Sequence, residues 1–192
     1  SEVVVKEAIR RELDRGGQIY FVHNFVETIE GVAVGLKRLI PEARVSVGHG
    51  QMPEKELEKT MLDFMAKKFD ILVCTSIIES GLDIPNVNTI LIDQADRFGL
   101  SQLYQLRGRI GRSGRQAYCY LLLPLREEVP KKSKKRLEIL LRYHDLGSGF
   151  QVAQHDLEVR GAGNVLGEEQ TGFISEIGPE LYFDMLKTAV RK

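Results

Sequence analysis

Gln105-Leu106-Arg107-Gly108-Arg109-Ile110-Gly111-Arg112 is the stretch on which the reading of this chain turns. It packs three arginines and two glycines into eight residues, and no acidic residue stands between Arg97 and Arg115. Helical spacing over Ser101–Gly111 predicts a helix on which Gln105, Arg109 and Arg112 share a face. Glycine costs about 1 kcal/mol in a helix interior, so Gly108 and Gly111 imply that something approaches the backbone closely. Arginine is planar, permanently charged and bidentate, which suits it to charge developing on a transferred phosphoryl group. An amphipathic helix with a solvated basic face would explain the arginines alone, but not the added glutamine and glycines. Gly108, Gly111 and Gly114 do not follow the G-x-G-x-x-G spacing of a dinucleotide site, so a dinucleotide-dependent enzyme is disfavoured.

Outward from this segment, short apolar runs alternate with helical stretches. Strands are predicted at Gln18–His23, Ala43–Val47, Asp70–Thr75, Thr89–Asp93 and Ala117–Leu123. Helices are predicted at Val3–Leu13, at Val26–Leu39 before Pro41, and from Pro53 to Lys68. Gly16-Gly17 ends the first helix and Gly48-His49-Gly50 forms a turn. The alternation implies βαβ units, and the near-continuous apolar strands imply helices on both faces of a mostly parallel sheet. The texture changes after Pro124. Residues 126–142 carry seven Lys/Arg and three acids, with Leu137, Leu140 and Leu141 fitting one helical face. A turn (DLGSG), a helical stretch from Phe150, a glycine-rich loop (RGAGNVLG) and a last helix at Pro179–Val190 follow. The boundary is placed at residue 128, dividing an α/β lobe (1–128) from a helical C-terminal part (129–192).

The 192 residues, 43% hydrophobic, suffice for one sizeable core or a core with an appendage. Lys+Arg and Asp+Glu both number 27, so the chain is not a general nucleic-acid coat and any such contact is a local patch. Cys74 and Cys119 lie in apolar runs and read as buried reduced thiols. His23, His49, His144 and His155 show no metal-ligand spacing, and no metal site is expected. No apolar run approaches ~20 residues, so no membrane partner is expected. The opening residues read as a charged helix rather than a signal peptide, and the expected location is the cytoplasm.

QLRGRIGR resembles motif VI of superfamily 2 helicases and translocases. Thr75–Pro85 (TSIIESGLDIP) is similar to their motif V, and Tyr20–Asn24 to the weaker motif IV. The motifs come in family order across residues 18–125. That family carries them on the second of two RecA-like lobes, so the resemblance implies a RecA-like three-layer αβα fold. It implies Arg109 and Arg112 as arginine fingers and Gln105 as the residue facing the γ-phosphate region. It implies Asp83 as acceptor from the nucleotide ribose, with Gly81 and Glu79 beside it, Glu79 being a coupling position in some members. Thr75, Ser76 and Ser80 match positions that touch the nucleic-acid backbone or relay between DNA and ATP. His49 and Gly50 resemble the loop over the tracking strand, and Asn24 of motif IV joins this set. Read from the residues alone, Asp83 also fits a turn cap and Gly48–Gly50 a plain turn.

Arg97–Leu103 leading into motif VI resembles the RecG branch, which includes the bacterial transcription-repair coupling factors. HDLEVRGAGNVLGEEQ and IGPELYFDML fit the coupling factors better than RecG. The resemblance implies a C-terminal helical hairpin that couples ATP-driven lobe movement to motion along double-stranded DNA, with Arg160 and Arg136 as hairpin arginines. Arg160 also reads as a helix C-terminal residue complementing the dipole, and KKSKKR as a solvated face. No G-x-x-x-x-G-K-[ST] and no magnesium-holding acid pair occurs. ATP and Mg²⁺ are therefore expected to be held mainly by a first RecA-like lobe, and the isolated chain is expected to be inactive. The implied function is the second motor lobe of an ATP-dependent DNA translocase in transcription-coupled DNA repair, displacing stalled RNA polymerase. RNA polymerase and nucleotide-excision-repair proteins would be met through other domains. The alternatives are a RecG-like branched-DNA helicase lobe, an RNA helicase lobe, or a non-motor interaction module.

Overall fold

The computed structural model describes residues 2–80, 84–124 and 128–142. In chain order the elements are α1 (Glu2–Asp14), β1 (Gln18–Val22), α2 (Val26–Leu39), β2 (Val45–Gly48), α3 (Glu54–Met65), β3 (Ile71–Cys74), β4 (Val87–Ile92), α4 (Leu100–Arg107), β5 (Tyr118–Leu121) and α5 (Lys131–Arg142). Two 3₁₀ turns that the periodicity does not announce lie at Ser76–Ser80 and Ala95–Arg97.

β1, β3 and β4 are buried along their whole length, whereas β2 and β5 keep partial exposure. The strand order is β2-β3-β1-β4-β5, so the fully buried strands are flanked and the partly exposed ones form the edges. Every pairing among these strands is parallel, with Tyr20 opposite both Leu72 and Ile90 and Ile90 opposite Cys119.

Successive strand residues face opposite sides, which builds two cores. On one face Ile9, Ile29 and Leu36 of α1 and α2 cover Ile19, Phe21, Val73 and Leu91. On the other, Phe64, Ile78, Ile84, Leu103 and Leu137 join Tyr20, Leu72, Ile90 and Ile92. Each such fully buried aliphatic or aromatic side chain contributes about 1.5–3 kcal/mol, so the sheet is a stiff platform for its loops. The result is the expected α/β three-layer arrangement.

Three expectations need correction. The helix carrying the first half of QLRGRIGR stops at Arg107 with Gly108 as its cap, so Gln105, Arg109 and Arg112 do not share a helical face. Gly111 at φ +80° cannot continue a helix, and residues 108–117 form a loop. The helix expected to reach Lys68 ends at Met65, where Lys67 turns left-handed at φ 58°. On α5 the buried line is Ser133, Leu137, Ile139 and Leu140, while Leu141 is 66% exposed. α5 lies against the 95–97 turn through Ser133 and against α4, which leaves Leu141 outside the contact. Packing thus continues past residue 128. The hairpin expected beyond α5 lies outside the described residues.

Candidate functional site

A parallel sheet gathers its strand ends into two edges, and the candidate residues divide between them. β1, β3 and β2 are neighbours, and Val22, Cys74 and Gly48 stand in register at their C-terminal ends. The residues that follow, Asn24, Thr75-Ser76 and His49-Gly50, therefore form one row. Loops at the C-terminal ends of parallel strands are where such sheets usually bind ligands. Asn24 is exposed, and its Oδ1 accepts from the Ser76 N–H at 3.4 Å, joining motifs IV and V. The His49 N–H points at Met52 Sδ (3.4 Å), and its buried Nδ1 meets no protein partner. A Cβ on Gly50 would sit 3.5 Å from Ile77, so this loop lies directly against the 76–80 turn.

His23 adds a residue to this edge that sequence reading passed over. It is buried, with Nδ1 2.8 Å from Asp93 Oδ2 and Nε2 2.7 Å from Thr28 Oγ1. It ties the end of β1 to the end of β4 and to the first turn of α2. The signal was present: His23 and Asp93 each follow the register partners Val22 and Ile92.

The opposite edge holds the arginine loop. Gln105 is exposed in the last turn of α4, Arg109 is half-buried and Arg112 exposed. Arg112 Nη2 donates to the Gly108 carbonyl at 3.2 Å, curling the loop on itself. Arg107 has a different task, donating to the Leu140 carbonyl at 3.1 Å and lying 4.9 Å over the Tyr104 ring, which ties α4 to α5. The Ser113 hydroxyl donates to Asn88 Oδ1 at 2.7 Å, and Arg115 Nη1 donates to the Arg15 carbonyl at 2.9 Å. An open cleft of about 380 Å³ is lined by Lys67, Ile84, Pro85, Asn86, Ser113 and Arg115. The end of the motif V segment and the motif VI loop thus meet at this edge.

The 75–86 connection begins at the end of β3 and finishes at the start of β4, so it crosses from one edge to the other. A six-residue strand such as β4 spans roughly 20 Å, which sets the separation. Glu79 and Ser80 close the 76–80 turn on this crossing. Gly81, Asp83 and Arg160 lie outside the described residues. Arg136 is turned inward: its Nη2 donates to the Asp96 carbonyl and to Ser133 Oγ, both at 2.9 Å. Of the arginines on the 108–117 loop only Arg115 lines the cleft, together with Lys67, while Arg109 and Arg112 precede it on the same loop. Guanidinium groups gathered on one loop suit a polyphosphate. Among the described residues no group of three or more His, Cys, Asp or Glu is placed to hold a metal ion, and no helix is long and apolar enough to cross a membrane.

A family model described as the helicase conserved C-terminal domain matches residues 2–114, which contain the Asn24–Ser76–His49 row and the arginine loop as far as Gly114. The chain belongs to the helicase conserved C-terminal domain family. This helicase domain is 54% identical over 189 residues to the transcription-repair-coupling factor of Myxococcus xanthus, and 55% identical over 188 residues to that of Escherichia coli K12. Each alignment covers 98% of the chain but only 16% of the relative's length. Among solved structures, RecG bound to a three-way DNA junction matches with a TM-score of 0.71 and 36% identity, over 88% of this chain and 21% of that one. The C-terminal domain of the DEAD-box protein Dbp5 matches 73% of this chain and 79% of its own at a TM-score of 0.53 and 20% identity, a likeness of fold alone. The three-layer sheet is thus the RecA-like lobe of helicases, as the motifs imply.

Proposed function

We propose that this helicase domain is the second motor lobe of an ATP-dependent double-stranded DNA translocase of the transcription-repair-coupling kind. One observation carries the reading. The arginine loop and the end of the motif V segment share one edge of the sheet, the Asn24–Ser76–His49 row occupies the other, and residues 75–86 join them. The 54–55% identity to coupling factors across 98% of the chain supports the choice of kind, and the 36% identity to RecG ranks a branched-DNA helicase lobe second.

ATP would lie between the arginine-loop edge and a first RecA-like lobe that holds Mg²⁺ and most of the nucleotide. This lobe supplies one wall of that site and is inactive by itself. Arg109 and Arg112 donate to the terminal phosphate as charge develops on it, an effect worth ~10³–10⁵ in rate in related phosphoryl transfers. Gln105 faces the same group, while Asp83, with Gly81 and Glu79 beside it, takes the ribose side. Cleft closure completes the site and moves the opposite edge, where Asn24, His49, Gly50, Thr75, Ser76 and Ser80 hold one DNA strand by its backbone. Backbone contacts position without reading sequence, as a translocase requires. Residues 129–192 form the translocation hairpin, with Arg136 fixing α5 to the 95–97 turn and Arg160 passing lobe movement to the duplex. The whole protein works in the cytoplasm, displacing stalled RNA polymerase and meeting excision-repair proteins through its other domains.

In the full-length protein, Arg109→Ala should lower DNA-stimulated ATP hydrolysis at least ~10³-fold while folding and duplex binding persist. Wild-type turnover in that variant would remove the assignment.

A further inference from the structure

Behind the arginine loop runs a line of buried amides. Gln18 Nε2 donates to the carbonyls of Phe64 and Phe69, each at 2.7 Å. Gln18 Oε1 accepts from Asn86 Nδ2 at 3.2 Å, and its backbone N–H bonds the Asn86 carbonyl at 2.9 Å. Asn88 Nδ2 donates to that same carbonyl at 3.3 Å, and Asn88 Oδ1 accepts the Ser113 hydroxyl at 2.7 Å. Gln18 and Asn88 are 2% and 0% exposed. The amide orientation of Asn88 is fixed by the network, because a flipped group would set its oxygen against the Asn86 carbonyl.

A buried asparagine is a costly occupant of a central strand unless its groups are paired. Valine or isoleucine would serve the core of β4 as well, so the asparagine is explained by what it holds. The next residue does the same on the other face of the sheet. Thr89 donates to the buried carboxylate of Glu12, Glu12 pairs with Arg15, and the Arg15 carbonyl accepts from Arg115. Two consecutive polar residues of β4 thus lead, by separate lines, to positions 113 and 115 of one loop. Arg109 and Arg112 stand just before those anchors.

We infer that Asn88 and Ser113, backed by Gln18, are positioning residues that hold the arginine loop and the Ile84–Asn86 strand entry in one geometry. Asn88 grips the loop through its carbonyl oxygen and the entry through its amide nitrogen, so the two walls of the nucleotide edge move together. This rests on the nucleotide reading of that edge. Ser113 is exposed, so removing its hydroxyl opens no cavity in the core, but it takes from the buried Asn88 Oδ1 its donor.

The test uses the full-length protein with duplex DNA. Ser113→Ala should lower kcat for ATP hydrolysis about tenfold while KM for ATP stays within about twofold, since misplacement of a reacting group acts on the transition state. Duplex affinity should not move, the thermal midpoint should fall only slightly as the buried Asn88 Oδ1 loses its donor, and Ser113→Thr, which keeps the hydroxyl, should restore both midpoint and kcat. Asn88→Ala combined with Ser113→Ala should be no slower than the slower single variant, because both break one link. A wild-type kcat in Ser113→Ala, a loss that threonine does not rescue, or additive losses in the double variant would each overturn the inference. An inactive Arg109→Ala beside a fully active Ser113→Ala overturns this inference alone. An active Arg109→Ala overturns the parent reading with it.

Discussion

Gly111→Ala probes the arginine loop with the least chemical change. Gly111 sits at φ +80°, where an L residue pays about 1–2 kcal/mol. An added Cβ would also lie 2.9 Å from the Ala117 Cβ, against 3.4–4 Å for ordinary contact. Ala117 adjoins Tyr118, which is paired with Thr89 in the sheet, so the loop must give way by about half an ångström. Dihedral cost and overlap together come to roughly 2–5 kcal/mol of local destabilisation. Arg109 and Arg112 flank the position, and displacement of reacting groups on this scale lowers rate by up to ~10²-fold. Two neighbouring glycines separate the causes. Gly114 has φ +73° with open space around it, so Gly114→Ala carries the dihedral penalty alone. Gly108 has an ordinary φ of −67°, and its Cβ would meet the carbonyls of Gln105 at 3.3 Å and Tyr104 at 3.5 Å, a milder contact than that at Gly111. DNA-stimulated ATP hydrolysis by the three full-length variants should fall most for Gly111→Ala, less for Gly114→Ala and least for Gly108→Ala. A Gly111→Ala enzyme within twofold of wild type, or one matched by Gly114→Ala, would refute the loop geometry.

Burial pushes the Cys74 thiol well above its usual range and the Cys119 thiol up to about 12, despite Arg107 nearby. Cys74 should not be alkylated by iodoacetamide at pH 8 in the folded chain and the partly exposed Cys119 should react only slowly, whereas both should react in denaturant; rapid native labelling of Cys74 would contradict the core assignment. Burial alone would raise the Asp70 carboxyl, but the hydrogen bonds and charge of Arg44 hold it below its ordinary value. A depressed carboxylate stabilises the fold above its unfolded pKa near 4, and that contribution fades as pH falls through the folded value. Melting curves should therefore show wild type losing more stability than Asp70→Asn between pH 5 and pH 3, and equal losses would remove this pair from the acid limb.

The fold was legible because its elements obey simple periods. Each of the five expected strands is found with its ends shifted by no more than two residues, and their near-continuous apolar runs foretold a sheet covered on both faces. The motifs named the candidate residues, but periodicity misjudged the conformation that presents Arg109 and Arg112. Spacing that fits a helix says nothing of a glycine that must turn left-handed, and Gly111 decided the outcome. His23, Glu12 and Asn88 escaped because a buried polar residue in an apolar context carries no periodic signal. Its meaning appears only when its partner, distant in sequence, is in place. Asp93, Thr89 and Ser113 are those partners here. Leu141 shows the converse, an apolar residue at helical spacing that the packing leaves outside.

The most direct measurement is the distance from the Arg109 and Arg112 guanidinium groups to the terminal phosphate of a transition-state ATP analogue. It should be made by high-resolution structure determination of the full-length protein on duplex DNA. The two-edge account predicts that at least one of the two groups lies within hydrogen-bonding distance of that phosphate, about 2.7–3.2 Å. Both groups remote from the nucleotide in the closed complex would contradict it.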